Sequence, residues 1–72
     1  MNEITNMERG ERLCYPLEAY QRKMHLLDED WETVAGDFIS DFMHWCDMYG
    51  VDVERVIASA KSIYQEEIED GN

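Results

Sequence analysis

The sequence predicts an all-α fold, a short three-helix domain with a polar N-terminal segment and its second and third helices paired as an antiparallel hairpin. Three observations carry this. Apolar residues recur at three- and four-residue steps along most of the chain, acids and hydroxyls stand where helix N-termini need caps, and Gly50 interrupts the longest stripe. The chain has 72 residues, enough for one domain with one small core. Its 44% content of apolar and aromatic residues, with two Trp, four Tyr and two Phe, sets it apart from the composition of disordered chains.

The elements follow in order. Residues 1–15 read as a partly ordered lead-in, in which Thr5 and Glu8 have the spacing of a capping box able to support a helical turn. Pro16 suits the first position of a helix, and Leu17, Tyr20, Met24 and Leu27 then mark one stripe, giving a first helix over residues 16–26. Leu13 continues that stripe backward but is expected to pack from the preceding turn, because proline interrupts the backbone ladder.

Asp28-Glu29-Asp30 offers an N-cap and places negative charge at the positive end of a helix dipole. From Trp31 the stripe runs through Val34, Ala35, Phe38, Ile39, Phe42, Trp45, Cys46 and Tyr49, which predicts a second helix over residues 30–49. Phe38 and Phe42 lie at its centre and are expected to anchor the core. Gly50 is expected to end the helix in the left-handed conformation. Asp52 caps a third helix over residues 52–67, with Val51 and Val56 as a hydrophobic staple and Glu69-Asp70-Gly71-Asn72 as a fraying tail. The short connection between these two helices folds them back on each other.

No run of apolar residues approaches the roughly 20 needed to span a bilayer, and Met1-Asn2-Glu3-Ile4 has neither the basic start nor the apolar stretch of a signal peptide. The expectation is a cytoplasmic protein without a membrane partner. Cys14 and Cys46 are too few for a disulfide framework and read as small buried hydrophobes.

The net charge is -11, and it is distributed unevenly. In residues 1–23 four acids balance four bases, whereas residues 24–72 hold 13 acids against only Arg55 and Lys61. Direct binding to nucleic acid is disfavoured, since phosphates are met by clustered Lys and Arg. A basic surface on a larger protein is the natural complement.

The candidates for enzyme chemistry are weak. His44 and Cys46, two residues apart on a helix, point about 200° apart and cannot share a metal ion. Asp28-x-Asp30-x-Glu32 begins like a calcium loop, but Thr33 stands where the loop glycine belongs and Ile39 where the closing glutamate belongs. His44 beside Asp37 and Asp41 lacks a nucleophile or cleft and reads as a solvated histidine. The expectation is a non-enzymatic protein with no catalytic, cofactor-binding or metal-binding residues.

Two surfaces remain. Asp37 and Asp41 are one turn apart, with Asp41 at the edge of the apolar arc beside whatever helix packs there. With Glu54 and Glu66 they form the predicted partner-binding surface, on a hairpin face with few bases to neutralise it. The apolar arc of the second helix is also wide, and Met43, Trp45 and Met48 on its flanks are the candidates for a homodimer seam.

The segment Asp41-Phe-Met-His-Trp-Cys-Asp47 followed by Gly50-Val-Asp-Val53, with Ala60, Tyr64, Glu66 and Glu67 beyond, resembles a stretch found in small open reading frames of phages, plasmids and integrated elements. The resemblance covers about 30 residues and implies service to a mobile element. Small acidic proteins of such elements include inhibitors of host restriction and anti-CRISPR proteins. With the one-sided charge, the leading functional expectation is a small acidic protein-binding module, an inhibitor, decoy or DNA mimic docking on a basic surface of a host defence or nucleic-acid-handling protein. A homo-oligomeric structural or regulatory protein is the alternative.

Overall fold

A computed structural model describes residues 4–71. Among the described residues it is all-helical, with a six-residue helix preceding three longer ones: α1 Asn6–Glu11, α2 Cys14–Lys23, α3 Trp31–Tyr49 and α4 Val53–Glu69. Among these residues no helix is long and apolar enough to cross a membrane.

The predicted capping box is formed. The Thr5 hydroxyl accepts from the Glu8 N–H at 3.1 Å and Glu8 Oε1 accepts from the Thr5 N–H at 2.9 Å, so the lead-in contains a defined helix, α1. The first three residues of the lead-in lie outside the described residues.

The second element begins two residues earlier than predicted, because Pro16 falls inside its first turn, where the missing N–H has no intrahelical acceptor in any case. Leu13 is the N-cap, and its carbonyl accepts from the Leu17 N–H at 3.0 Å. The helix also stops earlier than residue 26. His25 takes a positive φ of 58°, its N–H donates to the Arg22 carbonyl, and the Leu26 N–H reaches the Gln21 carbonyl at 2.9 Å. These two bonds make a Schellman cap built on a histidine rather than a glycine, which the sequence pattern concealed. The buried Gln21 side chain adds a bond from Nε2 to the Leu26 carbonyl.

α3 and its ends match the sequence reading closely. Asp30 caps it by accepting from the Thr33 N–H at 2.9 Å, and Gly50 ends it with φ 68°. The Val51 N–H then bonds the Cys46 carbonyl, and Asp52 caps α4 through the Arg55 N–H. α4 runs two residues past the predicted end, to Glu69, while Asn72 of the predicted tail lies outside the described residues.

The core is small. Among the described residues Val34 and Cys46 are the fully buried hydrophobic side chains, whereas Phe38 and Phe42, expected as core anchors, are half-buried. Cys14, expected to be buried, is exposed at the start of α2. α2 packs on α3 through an edge-to-face pair of Tyr20 and Phe38, with ring centroids 5.2 Å apart. α4 packs on α3 next to the turn, where Val53 and Val56 are half-buried, while Ala60, Ile63, Tyr64 and Ile68 further along are exposed. The far end of α4 is tied to α1 instead. Arg9 Nε meets Glu67 Oε2 at 2.9 Å and Asn6 Nδ2 donates to the Glu67 carbonyl at 3.3 Å.

The shape is open for a chain of this size. The radius of gyration is 14.4 Å, against about 11 Å expected for a compact domain of this length. The accessible surface is 6211 Å², roughly 1,500 Å² more than a compact monomer of this mass exposes.

Candidate functional site

Asp41 of the predicted acidic pair and one predicted seam residue, Trp45, converge on a groove between α2 and α3. Tyr20, Phe38, Asp41, Phe42 and Trp45 line an open cleft of about 430 Å³. Its floor is aromatic because residues 38, 42 and 45 follow the three-four spacing of one helix face, and Tyr20 is brought across from α2. Trp45 stacks on Phe42, with centroids 5.9 Å apart and planes 14° from parallel, and leans on Tyr49 at 5.1 Å. It nevertheless keeps 48% of its surface exposed.

The rim is negative. Tyr20 Oη donates to Asp41 Oδ2 at 2.6 Å, and this bond fixes the carboxylate at the cleft edge. The hydrogen bond to Asp41, with partial desolvation and the charges of Asp41 and Asp37, pushes the Tyr20 hydroxyl up to about 12. Tyr20 therefore stays a donor at any ordinary pH. Asp37 stands one turn before Asp41 on the same side of α3, at the margin of the cleft and outside its lining. Asp41 uses Oδ2 in this bond, and it has no ion-pair partner among the described residues. α3 contains no Lys or Arg.

The other predicted partner-binding residues lie elsewhere. Glu54 lines a second groove of about 330 Å³ with Met43, Val53, Ile57, Ala58 and Lys61. Met43 is two residues from Asp41 and so about 200° around α3 from it, on the opposite flank. Glu66 is exposed on α4, twelve residues from Glu54, or about 18 Å along the axis. Glu54 and Glu66 thus lie apart from the Asp37 and Asp41 pair, and the four acids do not share one face. The predicted seam also divides: Trp45 belongs to the α2–α3 cleft and Met43 to the α3–α4 groove, while Met48, one turn beyond Trp45 and exposed, continues the Trp45 flank without lining the cleft.

The sequence reading missed Tyr20, which it placed only on an apolar stripe. The available signal was Asp41 at the edge of the α3 arc, where a phenol from the adjoining helix could reach it. Among the described residues no cluster of His, Cys, Asp and Glu is arranged to hold a metal ion. The chain matches no protein-family model, no curated protein and no solved structure.

Proposed function

We propose that the protein is an acidic binding module that docks on a basic segment of a larger host protein, taking an Arg or Lys side chain into the cleft between α2 and α3. The observation that supports this most is the pairing of an open aromatic floor with the Asp37 and Asp41 rim. A guanidinium or ammonium gains from lying over the exposed face of Trp45 and from the adjacent carboxylates, and neither gain is available to an anionic or purely aliphatic ligand. The excess of negative charge over residues 24–72 steers such a segment in.

In this reading α3 and α4 form an antiparallel pair, favoured by the three-residue connection at 50–52 and by the bonds that return the end of α4 to α1. The resemblance to mobile-element reading frames directs attention to host defence and nucleic-acid-handling proteins as partners. Charge complementarity explains such docking better than mimicry of a duplex, because the four acids are not arrayed along one face.

Titration with Arg-rich and Lys-rich peptides, read by Trp fluorescence, tests the proposal. Asp37→Asn combined with Asp41→Asn is expected to weaken binding about tenfold, equivalent to ~1.4 kcal/mol. Glu11→Gln combined with Glu29→Gln removes the same charge at exposed positions away from the cleft and is expected to leave most of the affinity. Equal losses from the two pairs would reduce the effect to bulk acidity and end the cleft model.

A further inference from the structure

The opposite flank of α3 carries a second uncovered apolar face, and its chemistry differs from that of the cleft. On α4, Glu54, Ile57, Lys61, Tyr64 and Ile68 follow one another at steps of three, four, three and four residues, the spacing of a coiled-coil seam. On α3, Gly36, Ile39 and Met43 show the same three-four step, and Met43 shares a groove with Ile57 and Lys61. Packing within the chain leaves this seam open, with Tyr64 63% and Ile68 44% exposed.

Three features specify what covers it. The first is area: the chain exposes roughly 1,500 Å² more than a compact monomer of its mass, which exceeds the roughly 800 Å² per partner that a standard-size interface buries.

The second is charge. Within a chain of net charge -11, the α4 seam holds one acid and one base, Glu54 and Lys61, and among the described residues Lys61 forms no ion pair. The last turn of α4 has Glu66, Glu67 and Glu69 but no base, and Asp70 follows as its cap, an arrangement unfavourable at the negative end of a helix dipole. The first turn of the same helix offers the positive dipole end and Arg55, beside Glu54 and the cap Asp52. An α4 laid antiparallel on another α4 with Ile57 opposite Ile68 brings each acidic end to the other copy's positive dipole end and sets Asp70 against Arg55, so the helix is complementary to itself in that register.

The third is Gly36. A glycine inside a helix is costly relative to alanine, and a Cβ built there meets nothing within 4 Å. Packing within the chain gives no reason for it, whereas close approach by a second helix does.

We infer that the protein forms a two-fold symmetric homodimer in which the α4 helices pair antiparallel in the trough between α3 and α4. Ile57 of one copy lies against Ile68 of the other, and Lys61 lies against the ring of Tyr64, over a floor of Ile39 and Met43. Lys61 at a seam position sets the register and excludes a staggered pairing. The dimer leaves both α2–α3 clefts open, and it stands or falls independently of the proposed cleft function.

Sedimentation of the full chain from micromolar to millimolar concentration tests the inference. Wild type is expected at twice the chain mass of 8.5 kDa, with self-association strengthened by added salt as repulsion between two acidic chains is screened. Peptide binding in the cleft weakens with salt, so the two readings separate in one series. Tyr64→Glu and Ile68→Glu are expected to give helical monomers. Ile63→Glu, on the same helix and 52% exposed but off the seam, is expected to remain dimeric. Lys61→Met is expected to tighten the dimer while permitting other registers. A wild type that stays monomeric throughout, or an Ile63→Glu chain that dissociates as readily as Tyr64→Glu with helicity unchanged, overturns the inference.

Discussion

Of the helix ends that take a positive φ, those of α3 and α2 make opposite residue choices, and exchanging those choices gives a calibrated test of the fold. Gly50 closes α3 at φ 68°, and His25 closes α2 at φ 58°. An L-residue pays about 1–2 kcal/mol in that region, whereas glycine pays instead through the freedom it loses on folding, roughly 0.5–1 kcal/mol. The net effect of His25→Gly is therefore a gain of about 0.5–1 kcal/mol, with the Schellman bonds to Arg22 and Gln21 retained. Gly50→Ala is its mirror, a loss of similar size. No atom lies within 4 Å of a Cβ at Gly50, so the loss is backbone strain without a clash. Gly50→Val is expected to be worse than Gly50→Asn, since branching resists the region and Asn tolerates it. At about 4–8 °C per kcal/mol for a domain of this size, His25→Gly raises Tm by ~2–8 °C and Gly50→Ala lowers it comparably. Thermal unfolding is followed by circular dichroism at one fixed chain concentration, because association makes Tm depend on concentration. A lowered Tm for His25→Gly, or equal Tm values for Gly50→Val and Gly50→Asn, would refute the assigned caps.

The remaining predictions concern the core and pH. Val34→Ala, at a fully buried site, is expected to cost about 2 kcal/mol in urea unfolding, and Phe38→Ala a similar ~2 kcal/mol, because the half-buried ring forfeits part of the usual 3–5. On acidification, Glu8 and Asp30 are held below their usual 4.5 and 3.8 by the hydrogen bonds of Thr5 and Thr33, so their contributions are present above those values and lost as pH falls through the lower folded ones. Approach to the isoelectric point near 4.2 meanwhile relieves repulsion, so stability is expected to rise from neutral pH toward about 5 and fall below about 4; a monotonic rise in urea midpoint down to pH 3 contradicts the role of the caps.

Local chemistry was the most legible part of the fold. Thr5, Asp30 and Asp52 were readable as caps because each is a short acceptor side chain just ahead of a helical stripe, and such bonds depend on neighbours two or three residues away. Gly50 was readable for the same reason. The end of α2 was not, because histidine, though enriched among non-glycine residues at positive φ, is a far weaker signal than glycine, and the apolar stripe runs on past it to Leu27. Packing was less legible than the caps. The α3 stripe correctly marks an apolar arc, but periodicity cannot say how much of that arc the chain itself covers, and this is why Phe38 and Phe42 were overestimated as core. Part of the site was visible in Asp37, Asp41 and Trp45. Their union into one cleft required Tyr20, 21 residues before Asp41, and contacts of that range leave no periodic trace. Glu54 and Glu66 were grouped with them by charge alone, which carries no information about facing.

The open shape and the acidity act on each other. An arc as wide as that of α3 has two flanks, and the chain supplies only α2 for one and the first turns of α4 for the other. Beyond Val56 the end of α4 is held by Arg9 and Asn6 on α1 and leaves the trough unfilled. A neutral chain with this much exposed apolar surface would associate without limit, because a stripe free at both ends can recruit successive copies. Two properties oppose that here. The seam on α4 is complementary to its own antiparallel copy, so one pairing consumes it and closes the assembly. Each added chain also brings a further charge of -11, which penalises growth beyond the pair unless apolar burial compensates. The same charge borders the α2–α3 cleft, which pairing leaves free, so each dimer presents two negatively rimmed aromatic sites. A basic partner offering two segments at matching separation then gains by effective concentration, whereas a partner with one segment gains nothing from the dimer. Dissociation of the pair by Tyr64→Glu is therefore expected to leave the affinity for a single basic peptide unchanged and to weaken only the binding of a two-segment partner. A loss of single-peptide affinity in that variant would mean that the cleft and the seam are not separate surfaces.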